Sequence, residues 1–263
     1  MACILVFDSG VGSIPIAEAI REHLPGSQVE LVADSGFFPY GEKTEQELND
    51  RIAKVLQRAV DKIQPDVIVL ACNTASTIAL EQVREQFHLP VVGVVPAIKP
   101  AAETSRSYTI GVIATPATIE RDYTYDLINQ FAPECEVVMK GSSELVKLAE
   151  SWAFSGKLEV NELAEIISPF QLAHRKQSLD TLVLGCTHFP LLSDPIQELL
   201  PGVRIIDSSD AIGKQVKRVL SEEKRESQDK TNQQMTMWLT GKLPDSVKPG
   251  SLLSKYKLRS LDI

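Results

Sequence analysis

Short unbroken apolar runs alternate along this chain with longer stretches whose apolar residues recur every three or four positions. Cys3–Phe7, Val29–Ala33, Asp66–Ala71 and Val91–Val95 read as strands in the first half. Tyr108–Ala114, Glu136–Met139, Asp180–Leu184, Arg204–Ile206 and Met235–Leu239 read the same way further on. Between them the spacing predicts helices over Ile14–His23, Thr44–Ile63, a stretch after Cys72–Ser76 up to Phe87, Pro116 to about Phe131, Glu144–Ala153, Val160–His174, Pro190–Leu200 and Asp210–Leu220. Leu252–Tyr256 reads as a short helix or turn, and Ser221–Gln234 as a charged, solvated loop or frayed helix end. Uninterrupted β-branched runs alternating with helices predict an α/β fold, with mostly parallel sheets covered by helices on both faces.

Composition narrows the class. The 263 residues carry 27 Lys and Arg against 35 Asp and Glu, a formal charge of −8. An acidic chain with no basic stripe is a poor electrostatic match to nucleic acid or an anionic membrane surface. Apolar runs such as Val67–Cys72 and Leu89–Ile98 fall well short of the roughly 18 residues that a membrane span needs. Asp8 interrupts the first apolar run too early for a secretory leader. Four scattered cysteines without a CxxC pair suit free thiols rather than a disulfide framework or zinc ribbon, so a cytoplasmic setting is expected. No Walker loop, HExxH or GxSxG is present.

The informative feature is an internal echo. Val67–Thr74 and Thr181–His188 each run from an apolar strand into a cysteine, then polar residues, then a helical pattern. Ile4–Phe7 with Asp8 has a looser counterpart in Ile110–Ala114 with Thr115. The echo predicts two similar halves, each presenting one thiol at a strand-to-helix junction, where free N–H groups favour anions and lower a thiol's pKa. Cys3 and Cys135 read instead as small buried hydrophobes. Two thiols across a cleft suit removal of a proton from one face of a carbon and its return to the other. Asp8–Gly12 either lets backbone N–H groups approach an anion or is a glycine turn with Ser9 or Ser13 capping a helix. Asp8 caps that turn, orients an amine or polarises a thiol; His188 is a helix-cap or core histidine, or bonds a thiolate or substrate. With no arginine near these loops, Ser9, Asn73, Thr74 and Thr187 are the natural donors to an acidic ligand.

These residues resemble the glutamate racemases of the Asp/Glu racemase superfamily. The matching segments are Phe7–Gly12, Pro39-Tyr40-Gly41, Cys72–Ser76, Gly93–Ala97, Gly111–Thr115, Leu184–Pro190 and Asp207-Ser208, in the family's order. The resemblance implies two α/β lobes around a cleft, set at 1–96 plus 208–263 and 97–207. It implies interconversion of L- and D-glutamate without pyridoxal phosphate, metal or other cofactor, supplying D-glutamate for peptidoglycan. Cys72 is then expected to act on the D-glutamate α-proton and Cys186 on the L-glutamate one, assisted by Asp8 and His188. Asp8, Ser9, Tyr40, Gly41, Asn73, Thr74, Thr187 and His188 are expected to bind substrate, with Thr115 at the cleft edge and Glu150 matching an acidic residue near His188. A UDP-MurNAc-L-alanine activator and a homodimer are further implications. Ser13, and Gly141–Val146 in place of a Cys-Pro stretch, depart from the common pattern. The rival readings are an aspartate racemase on the same fold, a hydrolase using Cys186 and His188, and a non-catalytic anion-binding module.

Overall fold

A computed structural model describes residues 2–222, 234–244 and 247–263. In chain order the elements are β1 (Cys3–Asp8), α1 (Ser13–His23), β2 (Gln28–Ala33), α2 (Glu45–Ile63), β3 (Val67–Leu70), α3 (Asn73–Gln86) and β4 (Val91–Gly93). There follow α4 (Ile98–Thr104), β5 (Thr109–Ala114), α5 (Pro116–Ile119), α6 (Asp122–Phe131), β6 (Glu136–Gly141), α7 (Ser143–Ser155), α8 (Val160–Gln177) and β7 (Thr181–Leu184). The rest are α9 (Ser193–Leu199), β8 (Arg204–Ile206), α10 (Ser209–Glu222), β9 (Thr236–Leu239) and β10 (Lys257–Ser260), with 3-10 turns at Tyr40–Glu42, Phe189–Leu192 and Leu252–Lys255.

The strands form two sheets, β10-β9-β2-β1-β3-β4 and β6-β5-β7-β8, parallel throughout. Alternate residues of β1 serve opposite cores. Ile4 and Val6 pack with α1 and α10, whereas Leu5 and Phe7 pack with α2 and α3. The second sheet is covered likewise, by α7, α8 and α9 on one face and α4 and α6 on the other. Burial on both faces is why these strands read as continuous apolar runs. The long α2 starts at a capping box, in which Thr44 Oγ1 accepts from Glu47 N and Glu47 Oε2 accepts from Thr44 N.

The internal echo is a repeat of topology. The order β2-β1-β3-β4 in one sheet matches β6-β5-β7-β8 in the other. Hydrogen bonds just past the strand ends repeat too. Ala71 N donates to Phe7 O at 2.8 Å, as Gly185 N donates to Ile113 O at 2.7 Å. Asp34 N donates to Asp8 O, and Ser142 N to Ala114 O, each at 2.9 Å. Cys72 and Cys186, each the next residue in its sheet, therefore occupy equivalent places.

The fold departs from the apolar pattern at several elements. The helix expected over Pro116–Phe131 is two helices, because Glu120 ends α5, Arg121 is extended, and the Thr124 hydroxyl bonds Thr118 O across the break. Pro190–Leu200 splits into the 3-10 turn and α9. Neither α4 nor β10 stands out in the apolar pattern, since α4 is seven residues long and β10 is a charged edge strand. The expected loop Ser221–Gln234 lies mostly outside the described residues. Ser221 and Glu222 close α10, and Gln234 precedes β9. No helix among the described residues is long and apolar enough to cross a membrane.

Candidate active site

The two cysteines line one cleft between the sheets' C-terminal edges. Its empty space, mouth included, is about 430 Å³. Ser9, Tyr40, Gly41, Cys72, Asn73, Thr74, Thr115, Cys186, Thr187 and His188 all face it. The exception among the expected residues is Asp8, which is fully buried behind the cleft wall and does not line it. Pro39, Glu42, Ser143 and Val146 also line the cleft. None of the four is among the residues expected to bind substrate, although Pro39 belongs to the Pro39-Tyr40-Gly41 segment and Ser143 and Val146 to the departing Gly141–Val146 stretch; Ser143 and Val146 come with the capped start of α7, where Ser142 Oγ accepts from Leu145 N. Among the described residues no lysine or arginine lines the cleft, so an acidic ligand meets hydroxyls, an amide side chain and the α3 N-terminus.

The two sulfurs differ in their surroundings. Cys72 precedes the first turn of α3. Its Sγ lies 3.9 Å from Ser9 Oγ. Burial, followed by the negative charge of Asp8, raises its thiol, against the Ala75 N–H and Ser9 hydroxyl that favour the thiolate. Cys72 therefore rests protonated. Cys186 was expected at a helix N-terminus as well, but it leads into the 3-10 turn, its carbonyl accepting from Phe189 N at 3.0 Å. Instead of a helix dipole, its polar neighbour is the His188 ring, with Nδ1 4.0 Å from Sγ.

His188 is neither a cap nor a bystander. Nε2 lies 2.8 Å from Glu150 Oε2, and the same oxygen accepts Val11 N at 3.0 Å. Nδ1 lies 4.0 Å from Asp8 Oδ1. Burial disfavours the charged ring, but bonds to Cys186 and Glu150 and the charges of Asp8 and Glu150 outweigh it, so His188 is held well above its ordinary pKa. In the charged ring both nitrogens carry protons and can donate. Asp8 is raised by burial, with His188, the Gly10 N–H and the Thr187 hydroxyl opposing. It accepts Gly10 N at 2.9 Å and, from the other lobe, Thr187 Oγ1 at 2.8 Å.

The glycine loop has a different task from either one expected. Neither Ser9 nor Ser13 caps α1, since Gly12 holds the cap position without a side-chain bond. A Cβ on Gly10 would lie 2.7 Å from Glu150 Oε2, and one on Gly12 would lie 2.5 Å from His188 Nδ1 and 2.6 Å from Thr187 Oγ1. The glycines let the second lobe press His188 and Thr187 against the first. Further ties across the cleft are Arg121 to Glu45 at 2.8 Å and Lys147 to Glu42 at 2.7 Å.

A pair of parallel α/β sheets with one thiol from each at a shared cleft defines a racemase-like architecture. Residues 15–216 match the Asp/Glu/Hydantoin racemase family, and the chain belongs to it. It is 48% identical over 226 residues to the glutamate racemase of Shewanella sp. strain MR-7, covering 86% of this chain and 82% of that one. Its fold is similar to that of Escherichia coli glutamate racemase in complex with L-glutamate and the activator UDP-MurNAc-ala. There the TM-score is 0.86 at 37% identity, covering 99% of this chain and 98% of that one. Glutamate racemase from Francisella tularensis in complex with D-glutamate gives a TM-score of 0.76 at 26% identity, with coverages of 100% and 97%.

Proposed function

We propose that this chain is a glutamate racemase, interconverting L- and D-glutamate by proton transfer through Cys72 and Cys186. The observation that carries the reading is the placement of the two sulfurs at equivalent sheet positions facing one cleft. With L-glutamate bound, Cys186 acts as the thiolate, its sulfur facing the charged His188 ring, and takes the α-proton. Cys72, resting as the thiol, returns a proton to the opposite face. In the reverse direction the roles exchange, and the Ser9 hydroxyl and Ala75 N–H hold the charge on Cys72. Asn73, Thr74 and Thr187 hold the carboxylates, and Asp8 works from behind by fixing Thr187 and the Gly10 turn. One conversion leaves Cys186 as the thiol and Cys72 as the thiolate, and proton exchange with solvent in the free enzyme restores the starting state; every step is a proton transfer, so the reading requires no cofactor.

The division into lobes at 1–96 with 208–263 and at 97–207 belongs to this proposal, supported by which strands share a sheet. So do a cytoplasmic place in supplying D-glutamate to peptidoglycan and a response to UDP-MurNAc-L-alanine, which the E. coli relative binds. Circular dichroism of purified protein with L-glutamate, without pyridoxal phosphate or metal, tests the reading. The signal should decay to zero, and adding the nucleotide should change the rate. Persistence of the signal, or activity surviving in Cys72→Ala as a Cys186–His188 hydrolase would allow, refutes it.

A further inference from the structure

Tyr40 lines the cleft, but its hydroxyl is committed elsewhere. It donates to Asp34 Oδ2 at 2.8 Å. Asp34 is fully buried just past β2, and its backbone N–H donates to Asp8 O, beside the catalytic machinery. Its carboxylate also accepts from Arg51, with Nη2 at 2.7 Å and Nε at 2.9 Å, and from the Thr240 hydroxyl. Thr240 follows β9, over two hundred residues from Tyr40's own segment's start, and that segment is tied in again by Gly36 N to Thr240 Oγ1 at 3.1 Å and Gly241 N to Ser35 Oγ at 3.0 Å. Burial, followed by the Asp34 charge and hydrogen bond, raises Tyr40 and keeps its phenol protonated as a donor. Its ring is set against Phe7 and Phe37, with centroids 6.2 and 6.4 Å away.

The internal repeat supplies an independent reason to read this as a device. The residue equivalent to Asp34 in the second sheet is Ser142, since each donates its N–H to the end of the neighbouring strand. Ser142 caps α7, whose Ser143 and Val146 line the cleft. At the same point in each lobe, then, a polar side chain fixes one cleft wall: Asp34 fixes Pro39–Gly41, and Ser142 fixes the start of α7.

We infer that Asp34, braced by Arg51 and Thr240, is a positioning centre that sets the Pro39–Gly41 wall for substrate, with Tyr40 acting as its anchor rather than as a proton donor to the reacting carbon. This deepens the racemase reading and, in its kinetic form, rests on it. A carboxylate with several well-placed donors is a strong local fixture, and removing one donor loosens what hangs from it.

The test uses Tyr40→Phe and Thr240→Val, singly and together, leaving the buried Asp34–Arg51 pair in place. Tyr40→Phe should raise KM for both enantiomers by the same factor, roughly tenfold, with kcat held within about threefold. Thr240→Val, remote from the cleft, should raise KM by roughly threefold, and the double variant should resemble Tyr40→Phe alone because the two act through one group. Hydrogen exchange at the amides of residues 40–43 should quicken in each variant. An unchanged KM, a fall in kcat at constant KM, or full additivity in the double variant overturns the inference. If the wild-type protein does not racemise glutamate, the function falls separately. Exchange at residues 40–43 still decides the positioning claim, and unchanged exchange sinks it.

Discussion

Replacing Gly12 by alanine isolates the contact between lobes from the chemistry of any side chain. Gly12 has φ −61° and ψ −16°, a conformation that alanine adopts readily, so backbone strain does not enter. Gly12 holds the cap position, where the helix-interior preference for alanine does not apply. What the new methyl meets is His188 Nδ1 at 2.5 Å and Thr187 Oγ1 at 2.6 Å, where ordinary van der Waals contact begins near 3.4 Å. One side must therefore yield by about 0.9 Å, taken from those two distances. His188 cannot swing freely, because Nε2 is bound to Glu150 and the ring is buried against Phe38 at 5.6 Å. The second lobe is pushed back, lengthening the 2.8 Å Thr187–Asp8 bond and moving Cys186 relative to Cys72. Misplacing a reacting group by about 1 Å costs on the order of 100-fold in rate, or roughly 2.7 kcal/mol of barrier. Overpacking costs about 1–3 kcal/mol of stability. Initial rates of L-glutamate racemisation by circular dichroism, read beside urea unfolding, should show kcat down about 100-fold in a protein that remains folded. A variant with near wild-type kcat refutes the account of the glycine loop.

Other consequences can be checked singly. Cys72→Ala and Cys186→Ala should each lose racemisation by at least about 10³-fold in both directions, measured with either enantiomer, in line with removal of a positioned acid or base. Glu150→Gln removes the carboxylate that helps keep the buried His188 ring charged, so the alkaline limb of the L-to-D pH–rate profile should move to lower pH; an unmoved limb contradicts the assignment. Burial disfavours the Asp180 carboxylate, but bonds from Ser105 Oγ, the N–H groups of Arg106 and Ser107, and Thr181 Oγ1 bring its pKa down to about 2. A depressed carboxylate adds stability above its unfolded pKa that is lost as pH falls through the folded one. Asp180→Asn should thus destabilise by about 1–2 kcal/mol at neutral pH, with the gap to wild type closing between about pH 4 and pH 2 in urea titrations. The surface pair Arg121–Glu45 should contribute less than about 1 kcal/mol, so Arg121→Ala should barely shift the urea midpoint.

Much of this was legible in the chain because the strands are buried on both faces. Val67–Leu70 and Thr181–Leu184 cannot be mistaken for half-exposed strands, and the thiols follow them directly. The repeat that equates Cys72 with Cys186 was visible as a few residues of echo, and the sheet order extends it to four strands in each lobe. What sequence could not supply was distance across the cleft. Gly10 and Gly12 resemble an anion loop or a helix cap in one dimension, and only the packed lobes reveal the histidine against them. Asp8 is expected to assist the thiols and bind substrate, and its bond to Thr187 across the lobes is visible only in the fold. The dipole expected at Cys186 failed because Pro190 and the residues around it form a 3-10 turn before α9 begins. Edge strand β10 carries exposed Lys257, Arg259 and Ser260 around a half-buried Leu258, so no apolar run marks it.

The most direct test of two opposed thiols is a time course of L-glutamate with the wild-type protein in D2O, with no pyridoxal phosphate or metal added, in which L- and D-glutamate are separated chirally and the α-deuterium of each is read by mass spectrometry. Early in the reaction the D-glutamate formed should carry deuterium at the α-carbon while the remaining L-glutamate keeps its proton, because the acid on one face has exchanged with solvent and the base on the other has not returned its proton. Deuterium appearing equally in both enantiomers from the start, or D-glutamate that retains the original proton, would contradict the account.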